Sequence, residues 1–112
     1  MLRSQNLMRQ DFSHKNYTGL YAIYSDFQAT KFTGALLKGA SFYGSNLLNT
    51  NFSRANVDNM AMVGCQAKGI VLDEAFGSLI DFSDVNMMYA SLKKVKFSLI
   101  SFENAQLNKA IF

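Results

Sequence analysis

A large apolar residue stands at nearly every fifth position of this chain, in a register without insertion or deletion. Only one of the ten phenylalanines, Phe76, lies outside that register. The other nine are Phe12, Phe27, Phe32, Phe42, Phe52, Phe82, Phe97, Phe102 and Phe112. A period of five fits neither the roughly 3.6-residue period of a helix nor the alternation of a strand. A different backbone geometry must therefore bury these side chains.

A chain that turns a corner every five residues satisfies this register. Four corners close a coil of about twenty residues, and the central apolar residue of each segment then points inward. Successive coils stack at the strand spacing of roughly 4.8 Å. The register therefore predicts an all-β fold, a parallel β-solenoid of square cross-section. The chain of 112 residues makes one domain, residues 1–112, with about 5.5 such coils.

Two further columns of the repeat support this prediction. Two positions before each central residue the side chain is often small, which allows it to point inward as well. Two positions after it stand six of the seven glycines: Gly19, Gly34, Gly39, Gly44, Gly64 and Gly69. The third residue of a type II turn needs a positive φ, which glycine adopts most easily. We therefore interpret these glycines as corners and not as a phosphate-binding loop.

Several segments look like the A(D/N)LXX unit of pentapeptide-repeat proteins. They are ASFYG (40–44), SNLLN (45–49), TNFSR (50–54), ANVDN (55–59) and AQLNK (105–109). The resemblance covers nearly the whole chain. It implies a right-handed quadrilateral parallel β-helix. It implies no particular activity, because the family includes proteins with several different roles.

One stretch interrupts the pattern, because Ala67 and Gly77 are too small to fill central positions. Cavities at unfilled central positions would lower the free energy of unfolding by roughly several kcal/mol. We expect the coil from Met62 to Gly77 to depart from regular geometry, with Phe76 turned inward to replace the missing side chain.

Outward positions form two notable columns at a spacing of twenty. One is polar throughout and is expected to form a ladder of side-chain hydrogen bonds: Asn6, Asp26, Asn46, Gln66, Asn86 and Gln106. The other surface is apolar and aromatic: Tyr21, Ile23, Tyr24, Tyr43 and Val63. The second surface has two explanations, a protein-binding patch or the ordinary preference of exposed strands for these residues.

The C-terminal end carries apolar residues that a solenoid would leave uncovered. These are Phe102, Leu107, Ile111 and Phe112. Either the chain is a piece of a longer protein, or these residues form an end-to-end homodimer. Dimers of this kind occur in the family that the chain resembles.

The residues of common catalytic and metal sites are scarce. The chain has one histidine, His14, and one cysteine, Cys65, and no metal-ligand or nucleophile motif joins them. We expect no cofactor, no metal and no enzymatic activity. Cys65 stands in an inward column and is expected to be buried, and a single cysteine is compatible with the cytoplasm.

The charge is mildly basic, at +3. The cluster Lys93, Lys94 and Lys96 is interpreted as a solvated face, and no nucleic-acid partner is expected. No apolar run is long enough to cross a membrane.

The leading hypothesis for function is a non-enzymatic scaffold that binds another protein. Some bacterial relatives of this kind form modules of larger secreted effectors, so the expected location is the cytoplasm or such an effector. The alternative is a protein that imitates DNA and binds DNA gyrase or another topoisomerase. The net positive charge and the scattered carboxylates disfavour this alternative. A structural spacer between other domains is a third hypothesis.

Overall fold

Parallel pairing joins each part of the chain to the part twenty residues later. The structure, a computed structural model, describes all residues from 1 to 112. β1 (Leu2–Arg3) pairs with β2 (Ala22–Ile23), and β3 (Phe76–Asp81) pairs with β4 (Lys96–Ser101), both in parallel. Isolated parallel bridges with the same offset recur every five residues along the rest of the chain. Each twenty-residue stretch, here called a coil, therefore lies against the next.

Backbone hydrogen bonds connect each coil to both of its neighbours. The Asn46 amide donates to the Ser25 carbonyl of the preceding coil, at 2.9 Å. The amide of Leu47 in turn donates to the Gln66 carbonyl of the following coil, at 2.7 Å. This is the pattern of a parallel ladder, and it recurs at five-residue intervals. The stacking predicted from the register is thus present in the backbone.

The central residues of the repeat and the small residues two positions before them form one core. Both columns are buried from Ala22 to Leu92 except at Gly77, as the register predicts. Phenylalanines twenty residues apart stack, and the rings of Phe32 and Phe52 lie 5.2 Å apart and nearly parallel, at 5°. Ala67 is also fully buried.

The corners have the backbone conformation expected of turns with a left-handed third residue. Every residue two positions after a central position, from Ser4 to Lys109, has a positive φ. Many corners also have the closing hydrogen bond of a β-turn, such as that from the Thr30 amide to the Phe27 carbonyl at 3.0 Å. Sixteen residues other than glycine adopt this φ, so the coil imposes the conformation on them.

The polar column that precedes the central residues has a different role from the one we expected. The Asn46 side-chain oxygen accepts a hydrogen bond from the backbone amide of Leu48, at 3.0 Å. Asn51 does the same for Ser53, at 2.8 Å. These side chains cap turns within their own segment, and the structure has no side-chain hydrogen bond between two members of the polar column.

The irregular stretch begins at the end of the predicted coil and continues beyond it. The corners and the burial of the central residues are regular from Met62 to Leu72, so the expected distortion there was wrong. The departure comes at β3, where Gly77 has a φ of +148°. The side chain of Phe76 is 43% exposed, which shows that it does not turn inward. A Cβ at Gly77 would lie 2.6 Å from the backbone nitrogen of Asp58, so the two coils approach too closely there for a side chain.

Candidate protein interface

Three tyrosines are exposed on one side of the first coils. Tyr21, Tyr24 and Tyr43 are 51%, 54% and 47% exposed, which is unusual for large side chains in a protein with so complete a core. We call these three residues the tyrosine surface. Tyr43 lies one coil after Ile23 in the same outward column, and Tyr21 and Tyr24 lie close to Ile23 in sequence.

The rings of the tyrosine surface are held in place by their neighbours. Tyr24 and Tyr43 meet edge to face, with ring centroids 5.7 Å apart. The guanidinium of Arg3 lies 6.0 Å from the centre of the Tyr24 ring, within reach of a cation–π interaction. The Tyr24 ring lies over Gly44, where a Cβ would come within 2.6 Å of it. Glycine at position 44 thus leaves the space that the ring occupies.

Ile23 and Val63 contribute less surface than the sequence suggested. Ile23 is only 7% exposed, so its predicted outward exposure was wrong. It pairs with Arg3 in the preceding coil, and Tyr43 stands in the same column of the next coil. Neighbours above and below therefore shield it. Val63 is partly exposed and carries no ring.

A shallow concave surface lies beside the Tyr24 ring. Polar side chains from three successive coils line it, namely Asn6, Asp26 and Asn46. The side-chain oxygens of all three accept hydrogen bonds from their own segments. Each of these carboxylate and amide groups can form further hydrogen bonds. The tyrosine surface therefore lies next to a polar surface that can bind hydrogen-bonding groups.

The C-terminal residues that we predicted for end-to-end association differ in exposure. Phe102 and Leu107 are partly buried, whereas Ile111 and Phe112 are 53% and 71% exposed. The Phe102 ring stacks on Phe82, with centroids 5.3 Å apart. Homodimer formation through this end stays a prediction.

A second exposed surface was missed at the sequence level. Phe76 stands among Lys38, Arg54, Lys94 and Lys96. Its position outside the register was the available signal, together with a lysine twenty residues later in the same column. The prediction that Phe76 replaces the missing side chain at position 77 is wrong, because the ring is exposed.

The groups with the chemistry for catalysis lie apart. Cys65 is buried and its thiol donates to the carbonyl of Phe42, at 2.8 Å. Burial raises the pKa of this thiol to about 12, so it stays protonated in the native protein at neutral pH. His14 is exposed on another column, and its ring lies over Gly34.

No group of three or more His, Cys, Asp and Glu side chains is arranged to hold a metal ion. The structure has no helix that could span a membrane.

Comparison with known families identifies the repeat. The model of pentapeptide repeats matches residues 24–59, with eight copies. Residues 24–59 are pentapeptide repeats. The resemblance noted in the sequence is therefore confirmed over this range, and the comparison with curated protein sequences found no match.

Solved structures of pentapeptide repeat proteins share the fold. A pentapeptide repeat protein from the Arabidopsis thaliana thylakoid lumen is 25% identical, with a TM-score of 0.65 over 82% of this chain and 61% of its own. A trypsin-treated form of QnrB1, a plasmid-mediated fluoroquinolone resistance protein, gives a TM-score of 0.79 at 17% identity, over 96% of this chain and 68% of its own.

Rfr23, a pentapeptide repeat protein from the cyanobacterium Cyanothece, gives a TM-score of 0.59 at 14% identity, over 97% of this chain and 84% of its own. The predicted β-helix fold is confirmed by these neighbours and by the parallel pairing. The chain spans about 61% of the length of the thylakoid protein.

Proposed function

We propose that this protein is a non-enzymatic scaffold of the pentapeptide-repeat type, and that the tyrosine surface binds another protein. The observation that carries the proposal is the pair of contacting, half-exposed rings of Tyr24 and Tyr43. Tyrosine is enriched where proteins bind each other, because its ring offers apolar area and its hydroxyl a hydrogen bond.

The proposal includes the shape of the scaffold. Four corners in each coil of twenty residues suit a right-handed quadrilateral β-helix, and 112 residues correspond to about 5.5 coils. Such a stack presents flat sides on which outward residues recur at roughly 4.8 Å.

Prior ordering of the rings supports a role in binding. Immobilising a flexible side chain in an interface costs about 0.5–1.5 kcal/mol. Tyr24 already contacts Tyr43, Arg3 and the space over Gly44. Much of this entropic cost has therefore been met before a partner arrives. The polar concave surface next to Tyr24 offers hydrogen-bonding groups to the rim of the same interface.

The scaffold hypothesis suits the observed chemistry better than an enzyme does. The core is filled by apolar side chains such as Phe32, Phe42 and Phe52, all buried. The one thiol is buried and protonated, and the concave surfaces are shallow. Nothing in this arrangement places a nucleophile beside a base.

DNA mimicry remains the weaker hypothesis. QnrB1 shares the fold, but at 17% identity that likeness carries no function to this chain. A DNA mimic needs rows of carboxylates, whereas this chain has 11 Lys and Arg against 8 Asp and Glu. We expect the protein to leave DNA gyrase supercoiling unchanged.

Site-specific photo-cross-linking tests the proposal. A benzophenone amino acid replaces Tyr43 in one variant and Tyr89 in another, and each is irradiated in an extract of the cells that encode the protein. Tyr89 is a matched control, because it is 48% exposed but stands on another column. We expect one discrete adduct from position 43, which mass spectrometry then identifies, and none from position 89.

The Tyr24→Ser substitution sharpens this test. It removes the contact that orients the ring at position 43, and the adduct should weaken by about tenfold or more, which corresponds to about 1.4 kcal/mol. Equal labelling from positions 43 and 89, or an adduct indifferent to Tyr24→Ser, would refute the proposal.

A further inference from the structure

Phe76 lies at the centre of a basic surface on a different side of the coil from the tyrosines. Two adjoining shallow concave surfaces share Phe76 and Lys96, and Lys38, Arg54 and Lys94 complete their cationic lining. We call these five residues the basic aromatic surface. Phe76 stands between Asn56 and Lys96 in its column, because each coil places a residue directly above the one twenty positions earlier.

The fold has no evident use for an aromatic ring at position 76. Along the chain, the position before a central residue often holds Asn or Asp, whose side chain accepts a hydrogen bond from the backbone amide two residues later. Here that amide, of Ser78, instead donates to the carboxylate of Asp58 at 2.9 Å. The Phe76 ring has no aromatic partner, whereas the rings of the core contact one another, as Phe32 and Phe52 do. One exposed ring is ordinary at a protein surface, and the cations that surround this one distinguish it.

Lys94 and Lys96 form no ion pair within the protein, whereas Lys38 lies near the carboxylate of Asp58. The one ion pair in the structure joins Arg54 to Glu74, at 3.9 Å. The carboxylate of Asp58 accepts hydrogen bonds from the backbone amide and the hydroxyl of Ser78, at 2.9 Å each. These bonds, with that from the backbone amide the larger cause, lower the pKa of Asp58, so this carboxylate stays ionised and bonded within the fold.

Cations outnumber carboxylates in this region, by five to three. Asp73 accepts from the Ser91 hydroxyl at 2.6 Å and from the backbone amide of Lys93 at 3.0 Å, so its carboxylate too is used by the backbone. With Lys93, the concave surfaces of this region are lined by five of the eleven Lys and Arg residues. Unpaired charges of one sign attract a partner of the opposite sign.

We propose that the basic aromatic surface binds an acidic, extended segment of a partner protein. Carboxylates of the segment pair with Lys94 and Lys96, and an apolar side chain between them covers Phe76. The combination of one apolar contact and flanking charges suits a peptide, whose acidic and neutral residues can alternate. Asp58 and Glu74 then face the neutral residues of the bound segment.

A nucleic-acid strand fits this surface less well. It carries a negative charge at every nucleotide, so it would place phosphates near Asp58 and Glu74 as well. Single-strand binding sites also stack successive bases on several aromatic residues, and this surface has one. The inference goes beyond the scaffold function assigned to the tyrosine surface and does not depend on it.

Selection from a library of short random peptides, displayed on phage, tests the proposal on the whole protein. We expect selected peptides to be rich in Asp and Glu around an apolar residue. Binding of a selected peptide, measured by fluorescence anisotropy, should weaken by about tenfold or more for the double variant Lys94→Glu and Lys96→Glu. Phe76→Ser should also weaken it, by a smaller factor.

The matched control is the double variant Lys15→Glu and Lys31→Glu. It makes the same change of charge at two exposed lysines that do not line the basic aromatic surface. It should retain binding within about twofold, apart from the weak effect of net charge. The variant Tyr24→Ser with Tyr43→Ser should also retain binding, which separates this proposal from that for the tyrosine surface.

Three results would overturn the inference. The first is a selection that yields no peptides, or peptides without acidic residues. The second is binding that is equally weak in both lysine double variants, because only net charge would then matter. The third is tight binding of a labelled single-stranded oligothymidine that the Lys94 and Lys96 changes abolish, while acidic peptides compete poorly. Thermal unfolding of each variant establishes that it is folded.

Discussion

At the scale of single residues, position within the five-residue repeat decides what a side chain contributes. Phe52 is fully buried and stacks on Phe32 at 5.2 Å. Phe76, one of the same ten phenylalanines, is 43% exposed. The same amino acid therefore stabilises the core at one position and offers a surface at the other.

Truncation should separate these two phenylalanines. Phe52→Ala removes a buried ring and leaves a cavity, so the free energy of unfolding should fall by about 3–5 kcal/mol. Phe76→Ala should change it by less than about 0.5 kcal/mol, as surface substitutions usually do. Urea denaturation followed by circular dichroism measures both. A loss for Phe76→Ala as large as that for Phe52→Ala would contradict the assigned roles.

Cys65 makes stability depend on pH above neutrality. Burial raises its pKa to about 12 in the folded protein, whereas a thiol in the unfolded chain has a pKa of about 8.5. Above the lower value only the unfolded chain releases the proton, so rising pH favours unfolding. The stabilising contribution is complete below the lower pKa and disappears as pH rises through the window to the higher one.

The free energy of unfolding should therefore fall by about 1.4 kcal/mol for each pH unit within this window, beyond the trend from other groups. Urea unfolding from about pH 8 to about pH 10 measures it, and the difference from a variant without the thiol removes the contribution of tyrosines, which begin to ionise in the upper part of this range. Cys65→Ala is the control, because alanine is common in this column and has no proton to lose. Equal slopes for the two proteins would show that the thiol does not contribute.

At the scale of the repeating segment, the corner residue matters through φ and through the coil that precedes it. Gly39 has a φ of +70° and open space where a Cβ would stand. Gly44 has a similar φ, but the ring of Tyr24 occupies that space. Gly77 is not a corner, and the backbone of Val57 and Asp58 leaves no space for a side chain.

Alanine substitutions should lower the stability by different amounts at these glycines. Gly39→Ala meets only the cost of a left-handed residue, about 1–2 kcal/mol. Gly77→Ala combines a φ that essentially only glycine adopts with an overlap with rigid backbone, and should cost about 3 kcal/mol or more. Thermal unfolding by calorimetry gives both values. A smaller loss at Gly77 than at Gly39 would mean that the two coils separate easily there.

At the scale of the whole molecule, stability rises toward the middle of the stack. The central residues from Phe27 to Leu92 are buried except Gly77, whereas Leu7, Phe12 and Leu107 are only partly buried. In a stack of repeats each unit is stabilised by its neighbours. The middle coils have two neighbouring coils and the outer ones have fewer contacts.

Hydrogen exchange should therefore be graded along the chain. We expect the slowest amides between residues 27 and 92, and faster exchange within 1–20 and 96–112, because outer coils open without unfolding the middle. Mass spectrometry of peptic fragments of the 112-residue chain resolves these regions. Uniform protection from end to end would indicate that the stack opens only as a whole.

Much of the fold was predictable because the five-residue register reflects backbone geometry. The inward columns, the twenty-residue pairing and the left-handed corners all follow from spacing along the chain. The candidate surfaces were predictable only in part. Tyr24 and Tyr43 were identified, but Ile23 was assigned to the surface and the environment of Phe76 was missed.

The sequence by itself determined which residues point inward and where the chain turns, since those depend on neighbours within five residues. Only the tertiary structure decided how residues twenty apart meet. It buries Ile23 between coils, places the Tyr24 ring over Gly44, and leaves Phe76 exposed among lysines from other coils. Burial and charge at an outward position depend on the coils above and below, and the order of residues along one coil does not contain that information.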